Sequence, residues 1–176
     1  MLFGYPGSGK TYFSEQLAKE ISAVRINADA MRVAALGTLS AAKEFDKTTG
    51  LLNPIIFGAL DYTTVQVLKS GNSIICDYQH KKRSVREKSQ RLAKENGAIA
   101  VIIWVRTPED IAIRRGNERE ENLDQRQHSI EKMESLIDEH AKLIEMPDKN
   151  EKVIVIDGTL EFNNQYSSFA QQLATL

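Results

Sequence analysis

The residues with the plainest chemistry stand near the start of the chain: Gly4-Tyr5-Pro6-Gly7-Ser8-Gly9-Lys10-Thr11. Gly4, Gly9, Lys10 and Thr11 fill every fixed position of the G-x-x-x-x-G-K-[ST] phosphate-binding loop. Such a loop gathers several donors around one small polyanion. Glycines, Gly7 among them, let backbone N–H groups around Ser8 turn inward without Cβ clashes, and a following helix adds free N–H groups and its positive dipole end. A nucleoside triphosphate suits this cradle. Lys10 is expected to reach the β- and γ-phosphates and the Thr11 hydroxyl to ligate Mg²⁺.

Three further groups bear on what the nucleotide is used for. Asp29 and Arg32 follow a short apolar-alternating stretch, Val24-Arg25-Ile26-Asn27, and their i, i+3 spacing puts both on one helical face. A carboxylate there takes the proton of an attacking hydroxyl, and an arginine clamps an anionic group. The plainer reading makes Asp29 a helix N-cap and Arg32 a solvated charge. Asp77 ends the apolar run Ile74-Ile75-Cys76, the arrangement that holds Mg²⁺ beside a phosphate loop; as a cap or turn residue it has no such role. Arg114, Arg115 and Arg119 lie in a charged stretch that is either a solvated face or a lid, spanning about residues 114–128, that closes on the phosphates.

The elements needed to position these groups can be read from the apolar spacing. Met1-Leu2-Phe3 is the end of a strand. Three residues are few against an ordinary strand of roughly five, so either the strand is short or the sequence begins after its natural start. Helices follow over about 12–22 and from Asn27-Ala28-Asp29 to Gly37. Ser40 to Phe45 has helical character, and Thr48-Thr49-Gly50 reads as a loop. Asn53-Pro54 opens a longer helix with Pro at an early position. Strands are expected over 73–77, 98–105 and 153–157, with helices over 84–96, after Thr107-Pro108, over 130–144, and over 162–173. Strands alternating with helices give a parallel sheet covered on both faces.

The composition fits one ordinary domain: 176 residues, 41% hydrophobic, 27% charged, net charge −1. No global field selects nucleic acid or membrane. Cys76 is the single cysteine, which precludes an internal disulfide and fits a reducing, cytoplasmic setting. The basic run of Lys81, Lys82, Arg83, Arg86, Lys88, Arg91 and Lys94 carries no interleaved aromatics, so a solvated helix face is favoured over a nucleic-acid patch. His80, His128 and His140 lack metal spacing.

Taken together, the pattern resembles the small P-loop kinases related to polynucleotide kinase, zeta toxin and gluconate kinase, often labelled AAA-family ATPases. The resemblance is carried by Gly4 to Thr11, by Ile26 to Arg32, by Ile74 to His80 with Arg86 further on, and by Val105-Arg106-Thr107-Pro108 leading to Arg114, Arg115 and Arg119. It implies a P-loop NTPase α/β/α sandwich in a single domain, with five parallel strands in the order 2-3-1-4-5 and a helical lid. It implies ATP as nucleotide, Asp29 as general base, and Arg32 on the acceptor. It places Arg115 and Arg119 on the transferring phosphoryl group, and the Gly158-Thr159 turn against the adenine. The chain departs from the group at Asp77-Tyr78-Gln79-His80, where Asp-x-Thr-Asn is common, and between Gly37 and Asn53, which matches no known pattern. The function expected is phosphoryl transfer from ATP to a hydroxyl acceptor. The rivals are a nucleotide-dependent switch without an acceptor and a nucleic-acid end kinase using the basic helix.

Overall fold

The computed structural model describes every residue except Gln79 and residues 120–126. Five strands alternate with helices. β1 (Leu2–Phe3) runs into the phosphate loop and α1 (Lys10–Glu20) leaves it; β2 (Val24–Asn27) leads to α2 (Ala28–Leu36), α3 (Leu39–Thr49) and α4 (Leu52–Lys69). Then come β3 (Ile74–Asp77), α5 (Arg83–Glu95), β4 (Ile102–Arg106), α6 (Glu109–Glu118), α7 (Ile130–Leu143), β5 (Val153–Asp157) and α8 (Phe162–Leu173).

Every ladder is parallel. β1 pairs with β4 (Leu2 opposite Ile103) and β4 with β5 (Ile102 opposite Val153), while β2 pairs with β3 (Asn27 opposite Asp77). These pairs agree with the order 2-3-1-4-5, but the ladders fall into two parts, β1-β4-β5 and β2-β3. β3 and β1 lie side by side without a ladder between them. The seam has a local reason. β1 offers only two residues, and below Leu2 the lane between β3 and β4 is an apolar cavity of about 570 Å³ lined by Ile74, Ile75, Val101 and Ile103. For the same reason β4 starts at Ile102 rather than Ala98: residues 98–101 belong to no ladder, and Ile99 is 74% exposed.

The apolar residues sort into three cores. Leu2, Phe13, Leu17, Ile103, Ile154 and Phe169 join the sheet to α1 and α8. Ile26, Ala42, Leu52, Ile56, Leu60 and Cys76 join β2 and β3 to the helices from α2 to α4. Ala112, Met133 and Ile137 seat α6 on α7 against Tyr5 of the loop. At about 25 cal/mol per Å² of apolar area, burial of these side chains holds the strand ends that carry the site in place.

Between Gly37 and Asn53 the chain makes more helix than its residues suggest. Thr38 caps α3, its Oγ1 accepting from Ala41 N at 3.0 Å. Thr48 and Thr49, expected in a loop, are the last residues of α3. Their hydroxyls donate to the carbonyls of Glu44 and Phe45 at 2.8 Å, which lets threonine end a helix without a competing turn. Among the described residues no single helix is long and apolar enough to cross a membrane.

Candidate active site

The phosphate loop takes its shape from what lies behind it. Gly7 has φ +77°, and a Cβ there would stand 2.2 Å from the carbonyl oxygen of Ala112 in α6. Only glycine permits both the turn and that approach. Thr107, just after β4, donates its Oγ1 to Ser8 O at 2.8 Å and so pins the loop to the sheet. Lys10 opens α1 and curls back to bond Tyr5 O, with Ser8 Oγ at 3.5 Å. Its ammonium is lowered to a pKa of about 8, chiefly by burial; Asp77 opposes that shift and the charge of Arg119 adds to it.

Asp77 is 5% exposed at the C-terminal end of β3. It is the last residue of β3 and caps no helix among the described residues. Its Oδ2 accepts from Arg25 and lies 3.0 Å from Ser14 Oγ, while Asn27 Nδ2 reaches its backbone oxygen at 3.0 Å. Arg25 Nε lies 3.0 Å from both Asp77 Oδ2 and Ser14 Oγ. Among the described residues all side-chain bonds to this carboxylate fall on Oδ2. The Thr11 hydroxyl lines the cleft and bonds no described residue. Thr11 and Asp77 are hard oxygen donors, and the described residues hold no cluster of three His, Cys, Asp or Glu that could cage a metal. Thr11 lines the cleft and Asp77, paired with Arg25, does not; the oxygens of both are of the kind Mg²⁺ takes.

Asp29 and Arg32 are bonded to each other, Arg32 Nη1 to Asp29 Oδ1 at 2.6 Å. The N-cap of α2 is Asn27, whose Oδ1 accepts from Ala30 N at 2.9 Å, so Asp29 is not spent on capping. Its side chain is 51% exposed. Arg32 Nη2 donates to Asn53 Oδ1 at 2.7 Å, and Asn53 in turn bonds Asp46 through its side chain at 2.5 Å and its backbone N at 3.0 Å. Arg32 also lies over the Phe57 ring at 5.8 Å. A chain of bonds from α3 through α4 thus fixes the Arg32–Asp29 pair on α2.

Arg115 Nη1 donates to Gly158 O at 2.7 Å, which ties α6 to the β5–α8 turn. A Cβ on Gly158 would meet Thr107 Oγ1 and Ser8 O, so this turn packs directly on the loop. Thr159 bonds the Asp157 carboxylate through its N and Oγ1, holding that group below its usual range. Asn117 closes the base of the expected lid: its Nδ2 donates to His128 O at 3.2 Å and its carbonyl accepts from Gln127 at 2.7 Å. The rest of that lid, residues 120–126, lies outside the described residues, as does Gln79 of the β3 motif. Arg114 is exposed and does not line the cleft.

These groups frame two cavities. The first, about 800 Å³, holds Gly7, Gly9, Lys10, Thr11, Arg115, Arg119, Gly158 and Thr159. The second, about 540 Å³, holds Asp29 and Arg32. Arg119, His128 and Leu136 line both. Gly4 is buried where β1 enters the loop, 2.5 Å from Val105 O at its notional Cβ. The basic run does not form one free face. Arg86 is fully buried on Glu151 and on the carbonyls of His80, Lys81 and Glu145, while Arg83 pairs with Glu87 and Asp148, and Lys88 with Asp61. His140 is 5% exposed and kept neutral by burial, at a pKa of about 4.

Sequence reasoning did not single out Arg25, Ser14, Asn53 or Asp46. Ser14 carries a faint signal, one helical turn after Thr11 on the face of α1. The other three depend on partners 52, 7 and 21 positions away in the chain, and no local pattern encodes such pairs.

Fold and site together define a P-loop protein, with a glycine-rich loop beside a second, carboxylate-bearing pocket. The chain belongs to the AAA domain family, whose model matches residues 1–147. No curated protein matches the sequence. Among solved structures, the fold is similar to that of an unliganded sugar kinase from Janibacter sp. HTCC2649 (18% identity, TM-score 0.66, 98% of this chain and 92% of that one). It is also similar to that of a gluconokinase from Sinorhizobium meliloti 1021 (19%, 0.67, 99% and 90%). A deoxyadenosine kinase from M. mycoides is a more distant likeness (14%, 0.57, 99% and 98%).

Proposed function

We propose that the protein is an ATP- and Mg²⁺-dependent phosphotransferase that moves the γ-phosphoryl group to a hydroxyl acceptor. The observation that carries this reading is the shared wall between the two cavities. A nucleotide on Lys10 and Thr11 and an acceptor at Asp29 meet across Arg119, His128 and Leu136. Kinase names among the solved structures of the same fold support it.

In this reading Gly4, Gly7, Ser8 and Gly9 cradle the phosphates and the Gly158-Thr159 turn lies against the adenine. Thr11 and Asp77 are the residues that would hold Mg²⁺, which would supply charge neutralisation at the phosphates. Asp29 orients the acceptor hydroxyl and takes its proton, with Arg32 holding the carboxylate in place and contacting the acceptor. The acceptor oxygen then bonds to the γ-phosphorus as the bond to the bridging oxygen of ADP breaks. Lys10, Arg115 and Arg119 stabilise the charge on the transferring group. Placing the two substrates in one cleft accounts for a large part of the rate. The test is ADP release with Mg²⁺-ATP and pooled hydroxyl acceptors. Stimulation by a pool is expected, and its absence with every pool contradicts the proposal.

A further inference from the structure

Among the described residues the second cavity has an unbalanced wall. Arg32, Lys43, Arg119 and Lys132 face it against Asp29 and Asp46. Asp29 is paired with Arg32, and Asp46 accepts from the side chain and backbone N of Asn53, which also takes the other nitrogen of Arg32. Arg32 thus spends one bond from each terminal nitrogen within the wall itself. Lys43 on α3 and Lys132 on α7 are exposed, and neither they nor Arg119 bond a carboxylate among the described residues. Two helices thus bring to one cavity ammonium groups that have no carboxylate partner among the described residues. Like charges sharing a cavity repel, and a ligand anion between them relieves that repulsion. Lysine, a compact cation with three rotatable donors, suits an oxyanion that must be met from two sides.

We infer that the acceptor carries an anionic group, carboxylate or phosphate, besides its hydroxyl, and that Lys43 and Lys132 hold this anion while Asp29 faces the hydroxyl. The inference rests on the phosphotransferase reading and narrows it to a substrate class. A cavity of about 540 Å³ suits a small molecule of sugar size. A polynucleotide end is the weaker fit, because the basic run that would track a strand is partly neutralised by Glu87, Asp148 and Asp61, and its Arg86 is buried.

The test measures ADP release from Mg²⁺-ATP with a panel of sugar acids and sugar phosphates, each paired with its neutral alcohol, gluconate with glucitol and glucose 6-phosphate with glucose among them. An oligonucleotide with a free 5′ hydroxyl completes the panel. The charged member of a pair is expected to be preferred by about tenfold or more in kcat/KM, the scale of one charge-assisted contact, and the pair that shows it names the anion. Lys43→Glu and Lys132→Glu each raise KM for that acceptor by about tenfold with ATP affinity as the folding control, and Lys43→Arg restores it. Equal use of the neutral alcohols, wild-type KM in both glutamate variants, or transfer confined to the oligonucleotide overturns the inference and leaves the phosphotransferase standing. No stimulation by any member of the panel contradicts both.

Discussion

On the proposed role of Lys10, raising the pH above 8 weakens nucleotide binding, because the cation assigned to the phosphates is one the protein itself desolvates. Lys10 is lowered from 10.5 to about 8 by burial and by Arg119, with Asp77 opposing. A bound triphosphate favours the ammonium and raises that pKa again, so binding takes up a proton wherever free Lys10 is neutral. The sign follows from linkage: Lys10 leaves affinity nearly unchanged around pH 7 and makes it fall by up to about tenfold per pH unit above 8. Phosphate ionisation does not confound this window, since its second pKa is about 6. Folding of the ligand-free protein moves the opposite way. Between pH 8 and 10.5 the unfolded state binds more protons at this lysine, so its contribution to stability rises with pH there. Calorimetric titration with ATP in two buffers of different ionisation enthalpy reads both affinity and proton uptake. Uptake is expected to be about half a proton at pH 8 and close to one at pH 9. Arg119→Gln shifts the fall in affinity to higher pH. Affinity unchanged from pH 7 to 10, or no proton uptake at pH 9, refutes the reasoning.

Three further outcomes follow from the geometry. Gly7→Ala puts a methyl group 2.2 Å from Ala112 O at φ +77°, so it costs at least about 1–2 kcal/mol in strain and lowers ATP affinity more than tenfold, as read by urea unfolding and ATP titration. Arg86→Met strands Glu151, whose side chain is 7% exposed and whose pKa the arginine holds down. A loss of about 3–5 kcal/mol is expected near pH 7, shrinking as the pH falls through the ordinary carboxylate range. Asn53→Ala cuts the link between Arg32 and Asp46; as Asn53 is a positioning residue, kcat is expected to fall about tenfold while ATP affinity holds, and an equal loss in both makes its role merely structural.

What could be read from the chain depended on how local the physics was. The phosphate loop is encoded in eight consecutive residues, because glycine conformations and a helix start are local requirements, and the structure places Gly7 and Lys10 accordingly. The strands β4 and β5 announce themselves as apolar runs. The extent of β4 was less legible, since a strand starts where its partners do, and its first rungs are Ile102 opposite Val153 and Ile103 opposite Leu2. α3 was hidden by Thr48 and Thr49, turn formers whose hydroxyls here bond back into the helix. Asp29 and Asp77 were visible as candidates, but what orients them was not. Arg25 and Asn53 act through side-chain bonds to distant residues, and only the fold brings them there.

The most direct test of phosphoryl transfer through Asp29 compares wild type with Asp29→Asn for ADP release from Mg²⁺-ATP, with and without a hydroxyl acceptor. The substitution keeps the side chain's size and removes its capacity to accept a proton. Acceptor-stimulated release is expected in wild type, with a fall of about 10²–10⁴-fold in the variant and ATP affinity retained. Tight ATP binding with no stimulation by any acceptor, and no difference between wild type and variant, contradicts the account and makes the protein a nucleotide-dependent switch.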